Sequence, residues 1–126
     1  MLAFKVVEKN TRCGTNWAIY KHNPFNGFGF IKKHKEYFPR YLKNTIVHAV
    51  KGSVGILCFE DEKHAQKFID IYQINAKIVK VEGYNQNLSD FKINIHCGSS
   101  PHNILGWAKI DPPKGTIAFE SVKVLE

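Results

Sequence analysis

Val54-Gly55-Ile56-Leu57-Cys58-Phe59 runs straight into Glu60-Asp61-Glu62-Lys63-His64-Ala65-Gln66-Lys67-Phe68-Ile69-Asp70-Ile71-Tyr72, and Ile78-Val79-Lys80-Val81 follows shortly after. The first run is short and apolar, as a buried strand is. The acids at 60–62 then sit where the positive end of a helix dipole favours negative charge. Ala65, Phe68, Ile69 and Tyr72 fall at i, i+3, i+4 and i+7, one apolar stripe at helical period. Lys63, Gln66, Lys67 and Asp70 occupy the other face, and His64 lies off the stripe, as a surface residue would. Asn75 ends the helix, and Gly83 ends the strand that follows.

Outward from this unit the chain reads as strands. Leu2–Glu8 alternates and makes a first strand; Trp17–Tyr20 makes a short second one. Residues 21–44 are irregular, broken by Pro24, Gly27, Gly29 and Pro39. Thr45–Val50 is β-branched, and Lys51-Gly52-Ser53 turns the chain into Val54–Phe59. Residues 84–90 read as a polar loop. Phe91–Cys97 alternates, Gly98–Pro101 is a turn, and Ile104–Ile110 and Thr116–Val124 flank the turn at 111–115. Strands here do not alternate with helices. The expected class is therefore α+β: a mainly antiparallel sheet of six to eight short strands, with one principal helix over about residues 61–73 packed on one face. Phe59, Phe68, Ile69, Val79, Val81 and Phe119 are the core candidates.

Residues 1–126 are one domain's length and contain no repeat or linker. Apolar residues are 44% of the chain, enough for a core without staples, and aromatics at 13% exclude a disordered tail protein. No apolar run approaches the roughly 18 residues of a membrane span, and mean hydropathy is −0.28. Residues 1–8 lack the pattern of a signal peptide, so the expected location is the cytoplasm. Cys13, Cys58 and Cys97 are odd in number and widely spaced, which argues against a disulfide framework or zinc ribbon. Cys58 reads as a small core residue.

Eighteen Lys plus Arg against eleven Asp plus Glu give a net charge of +7, which favours anionic partners. Only Arg12 and Arg40 are arginines. Lysine is a solvated point charge rather than a bidentate fork, so the excess speaks more for phosphate than for base-edge reading. Two segments place such chemistry. Phe28 and Phe30 alternate with glycines in Asn26–Ile31, with Lys32 and Lys33 just beyond. Rings on an open strand face can stack on a base while lysines hold phosphates. His96-Cys97-Gly98-Ser99-Ser100-Pro101-His102 offers backbone N–H groups, two hydroxyls and two imidazoles to an anion, with Trp107 close behind. The same cluster supplies at most three metal ligands, with no clear fourth. A Cys97 nucleophile would need a base brought to it by the fold. The chain has no spaced carboxylate pair, Walker loop or Gly-x-Ser-x-Gly elbow.

Asn26-Gly27-Phe28-Gly29-Phe30-Ile31 resembles the aromatic strand of cold-shock domains and RNA-recognition motifs, which implies single-stranded nucleic-acid binding; its companion motif is matched only by Ile46-Val47-His48, without the aromatic. The segment from Tyr41 to Gly83, with the ending Gly115–Val124, resembles small uncharacterised proteins of AT-rich Gram-positive bacteria and their phages. That resemblance implies a counter-defence role, in which some such proteins sequester nucleotide immune signals. In a phage protein the location would be the host cytoplasm. The strand-helix-strand unit also resembles pieces of ADP-ribosyltransferase-like folds, whose catalytic residues do not line up here; Glu82 and Glu120 are the acids that such a reading would test.

The resulting expectation is a non-enzymatic binding protein for a phosphorylated, nucleotide-like small molecule, without cofactor or metal and able to oligomerise. Its candidate ligand-binding residues are Phe28, Phe30, Lys32, Lys33, Arg40, His96, Ser99, Ser100, His102 and Trp107. The alternatives are a single-stranded nucleic-acid binder using Gly27–Ile31, and a protein–protein inhibitor of a host defence component anchored by the aromatics of residues 25–30.

Overall fold

The computed structural model describes residues 1–14, 39–49, 51, 53–72, 75–96 and 107–126. The elements in chain order are β1 (Leu2–Glu8), β2 (Ile46–His48), β3 (Ile56–Phe59), α1 (Glu62–Tyr72), β4 (Ala76–Gln86), β5 (Ile93–His96), β6 (Trp107–Ile110) and β7 (Thr116–Val124). The expected strand at Trp17–Tyr20 lies outside the described residues.

Five strands form one antiparallel sheet in the order β2-β7-β3-β1-β4, and a further β4–β7 pairing closes it into a small barrel. β1 lies along β4 from Leu2↔Glu82 to Glu8↔Ala76 and meets β3 at Phe4↔Phe59. β7 holds the closure. One of its edges pairs with β4 from Val81↔Val124 to Gln86↔Phe119. Its other edge takes β2 at residues 121–123 and β3 at residues 116–119, so these two strands lie end to end. Among the described residues, β5 and β6 pair only with each other, in a separate two-stranded ribbon that lies between β4 and β7 in the sequence. Among the described residues the fold is thus α+β, and its main sheet is a barrel of five strands, fewer than the six to eight expected. The physical reason is closure, which lets few strands satisfy each other's edges.

The alternation of each strand divides the apolar residues between two clusters. Ala3 and Val7, Ile56 and Cys58, Val79 and Val81, and Phe119, Val122 and Val124 fill the inside with Tyr41 and Val47. Val6, Phe59, Ala65 and Phe68 form the second cluster, with Ile69 packed against it. There the Phe68 ring on α1 meets the Phe59 ring at a centroid distance of 5.4 Å. All six core candidates named from the sequence lie in or against these clusters. The α1 start is also as the acids indicated. Asp61 caps it, accepting the His64 N–H at 2.8 Å.

Gly83 does not end β4. The strand continues to Gln86, and a Cβ on Gly83 would lie 2.4–2.5 Å from three carbons of the Phe119 ring. Gly83 is therefore a glycine because the core ring occupies its side-chain space. Gly55 is required for a second reason. Its φ is +120°, and a Cβ there would stand 2.8 Å from the Phe119 carbonyl oxygen. Gly83→Ala should destabilise the fold by about 1–3 kcal/mol, the usual cost of overpacking a core. Urea unfolding at neutral pH reads it; an unchanged midpoint would show that the ring is free to move aside.

Candidate functional site

Four places in the described fold gather polar or reactive groups. The first is the end of the β5–β6 ribbon. Its register runs from Ile93↔Ile110 to His96↔Trp107. Two candidate ligand-binding residues far apart in sequence are thereby directly opposite each other. At the other end of the ribbon Lys92 and Asp111 form an ion pair. The Asp111 carboxylate, as acceptor and as counter-charge, raises the Lys92 pKa. Ser99, Ser100 and His102 belong to the connection between His96 and Trp107 and lie outside the described residues. So do Phe28, Phe30, Lys32 and Lys33. Arg40 is exposed and pairs through its backbone with Cys13.

The second place is a groove of about 400 Å³ on the barrel's outer surface, lined among others by Lys51, Ser53, Gly55, Asn85, Asn87 and Glu120. Its parts are tied together. Asn87 donates through Nδ2 to the Val54 carbonyl at 3.0 Å and through its backbone N–H to Ala118 at 2.8 Å. The Ala49 N–H donates to the Glu120 carbonyl at 2.8 Å, and Ser53 Oγ accepts the Gly55 N–H at 3.3 Å. Asn85, held at φ +54° within β4, donates Nδ2 to Glu120 Oε2 at 2.7 Å. Sequence reading misses this groove. Residues 84–90 have the composition of a plain loop, and Glu120 is one isolated acid in a strand.

The third place is the barrel interior. Lys5 shares a face of β1 with Ala3 and Val7, and at 9% exposure it is the one buried charged residue among those described. Its Nζ donates to the Leu57 carbonyl at 2.7 Å and lies 5.1 Å from the centre of the Tyr41 ring. Burial lowers the Lys5 pKa, partly offset by the neighbouring Cys58. Burial likewise pushes the Cys58 thiol up to about 11 and raises the Tyr41 phenol. The trio is thus held towards its uncharged forms. A lowered pKa makes an amine more available as a nucleophile, but this one is enclosed by apolar side chains. The signal is present in the sequence, since Lys5 interrupts the apolar positions 3 and 7 of an alternating strand.

At the start of α1, Glu60, Asp61 and His64 bring potential ligand atoms within 4.8 Å of one another. Asp61 is already committed there. It accepts the His64 N–H, and its carboxylate also meets His64 Nδ1 at 2.7 Å; these contacts hold its pKa down. His64 is half-buried rather than a surface residue, because Gly115 packs on its ring so closely that a Cβ at 115 would lie 2.6 Å from the His64 Cγ. Cys13 and Cys58 are free thiols.

No protein-family model, curated protein or solved structure matches the chain. No helix among the described residues is long and apolar enough to cross a membrane.

The interior amine gives the fold a pH dependence of known sign. The folded pKa of Lys5 lies below its ordinary 10.5, so between those values the unfolded chain binds the extra proton and stability rises with pH. Cys58 acts the other way above its ordinary 9.0, because its folded pKa is raised. In a Cys58→Ala background, denaturation midpoints from pH 6 to 10 should therefore climb more steeply with Lys5 than with Lys5→Met. Parallel profiles would show that the buried amine titrates as it does in water.

Proposed function

We propose that this chain is a non-enzymatic, cytoplasmic binding protein for a phosphorylated, nucleotide-like small molecule. The observation that carries the reading is the His96↔Trp107 register. It sets an imidazole-bearing and an indole-bearing residue opposite each other, at the two ends of the segment holding Ser99, Ser100 and His102. An indole can stack on a base, and hydroxyls, backbone N–H groups and imidazoles can take a phosphate. Phe28, Phe30, Lys32, Lys33 and Arg40 would add rings and charge from the other segment. The net charge of +7 draws such a ligand in. Sequestration of a host nucleotide signal by a phage-encoded oligomer is the role that the resemblance implies for such a binder.

The closed antiparallel barrel supports a second reading, since small barrels of this kind carry single strands across an outer face. In it Gly27–Ile31 stacks on bases, and affinity falls steeply with salt. A protein–protein inhibitor anchored by residues 25–30 is the third.

Calorimetry with cyclic dinucleotides and cyclic ADP-ribose isomers tests the first reading. At least one should bind at micromolar concentration with little dependence on salt. Trp107→Ala should then cost about 1–3 kcal/mol, the worth of one stacked base. Silence across the panel would sink it, and a salt-steep affinity for oligonucleotides would put the second reading in its place.

A further inference from the structure

α1 covers part of the barrel's outer face, where Phe4, Val6 and Ile78 pack in its cluster. Farther along the same strands the outer face is open. The backbone register sets one row across it: Leu2 lies opposite Glu82, Glu82 opposite Lys123, and Lys123 opposite Ile46. Residues directly opposite each other in antiparallel strands share a face. Here that face is the outer one, since Ala3, Val81, Val122, Val124 and Val47 beside them are buried. Strand spacing makes the row about 14 Å long. The next row holds Tyr84, Ser121 and His48. Leu2, Ile46, Tyr84 and, just past β7, Leu125 are 39–58% exposed. Glu82 takes the Met1 ammonium through Oε1, which leaves Oε2 for another partner. Among the described residues no ion pair joins Glu82 to Lys123, and Lys123 is exposed.

We infer that this face is a contact between two copies of the chain, related by a two-fold axis that runs along the strands between β4 and β7. That operation lays β4 over β7 of the other copy, and β1 over its β2. Leu2 then meets Ile46, Glu82 meets Lys123, and the Tyr84 ring meets the small Ser121, each twice. Apolar falls on apolar, acid on base and large on small. A two-fold axis along the row, across the strands, would set Glu82 on Glu82 and Lys123 on Lys123, so the charges select the first arrangement. A nucleic-acid strand fits this face poorly, because Glu82 stands in mid-row and Glu120 and Glu126 are exposed at either end of the same stretch of β7. The patch is small, so the contact is a weak one. It does not depend on the ligand reading above.

Sedimentation equilibrium of the full chain over about 1 µM to 1 mM tests it. The chain should pass from monomer to dimer within that range, and added salt should weaken the dimer. Lys123→Glu sets acids against acids, and Glu82→Lys sets bases against bases. Each should raise the dissociation constant at least about tenfold. An equimolar mixture of these two variants should dimerise again, because one then presents two acids to the two bases of the other. Circular dichroism checks that each variant is folded. Ile46→Ser touches no ion pair and should weaken the dimer on its own, so the test stands even where Glu82→Lys unfolds the chain. A monomer throughout, single variants that dimerise as the parent does, or a folded mixture that stays monomeric would each overturn the inference. Assembly that needs an added oligonucleotide would overturn it too, and would give the face to nucleic acid.

Discussion

The architecture depends on one contact, the Phe119 ring lying in the space that a side chain on Gly83 would fill. β4 can lie against β7 at that point only because position 83 has no Cβ. The β4–β7 ladder then closes the sheet, and closure removes the open edges that a five-strand layer would otherwise present. Phe119 itself is 1% exposed, and burying a ring of that size contributes about 1.5–3 kcal/mol. Gly55 lies against the backbone of the same residue, where a Cβ would stand 2.8 Å from the Phe119 carbonyl oxygen. Packing, closure and the course of the chain between β2 and β3 are therefore set around a single residue.

The same closure explains the state of Lys5. A small barrel fills its interior with side chains, and here they are valines, an isoleucine, a phenylalanine, a tyrosine and a thiol. An ammonium in that company loses its hydration and regains one carbonyl and one aromatic face. The desolvation exceeds these gains, so the amine is held towards its neutral form. Cys58 and Tyr41 shift in the opposite sense for the same reason, because burial disfavours the charged form of each.

Local features are readable from the sequence and pairings across the chain are not. The α1 stripe of Ala65, Phe68 and Ile69 follows from helical period alone, and Asp61 announces the cap. β1 and β7 alternate strongly enough to be placed within their observed limits. Gly83 misleads because a glycine after an apolar run usually marks a turn. That Val79, Val81 and Gly83 form an i, i+2, i+4 series is the available signal, but its meaning depends on a ring 36 positions away. The ribbon's two strands are visible on either side of Gly98–Pro101, whereas its register, which sets His96 against Trp107, comes only from the backbone pairing. The groove is invisible for the same reason, since Asn85 and Glu120 meet across two strands 35 residues apart.

A filled interior also restricts where a ligand can be held. With apolar side chains packed between the strands, binding has to use the outside of the barrel or what projects from it. Among the described residues, the groove straddles β7, and the ribbon departs from the sheet between β4 and β7. Both are built on the strands that Phe119 locks together, the groove through Asn85 and Glu120, the ribbon through the chain leaving Gln86 and returning at Thr116. A site braced in this way needs little reordering when it binds, and that lowers the entropic cost of association. The excess of positive charge does a different task. It is long-ranged and weakly directional, so it can speed the arrival of an anion without choosing among anions. Choice requires short-range groups fixed in geometry, as the Asn85–Glu120 hydrogen bond fixes two side chains across β4 and β7.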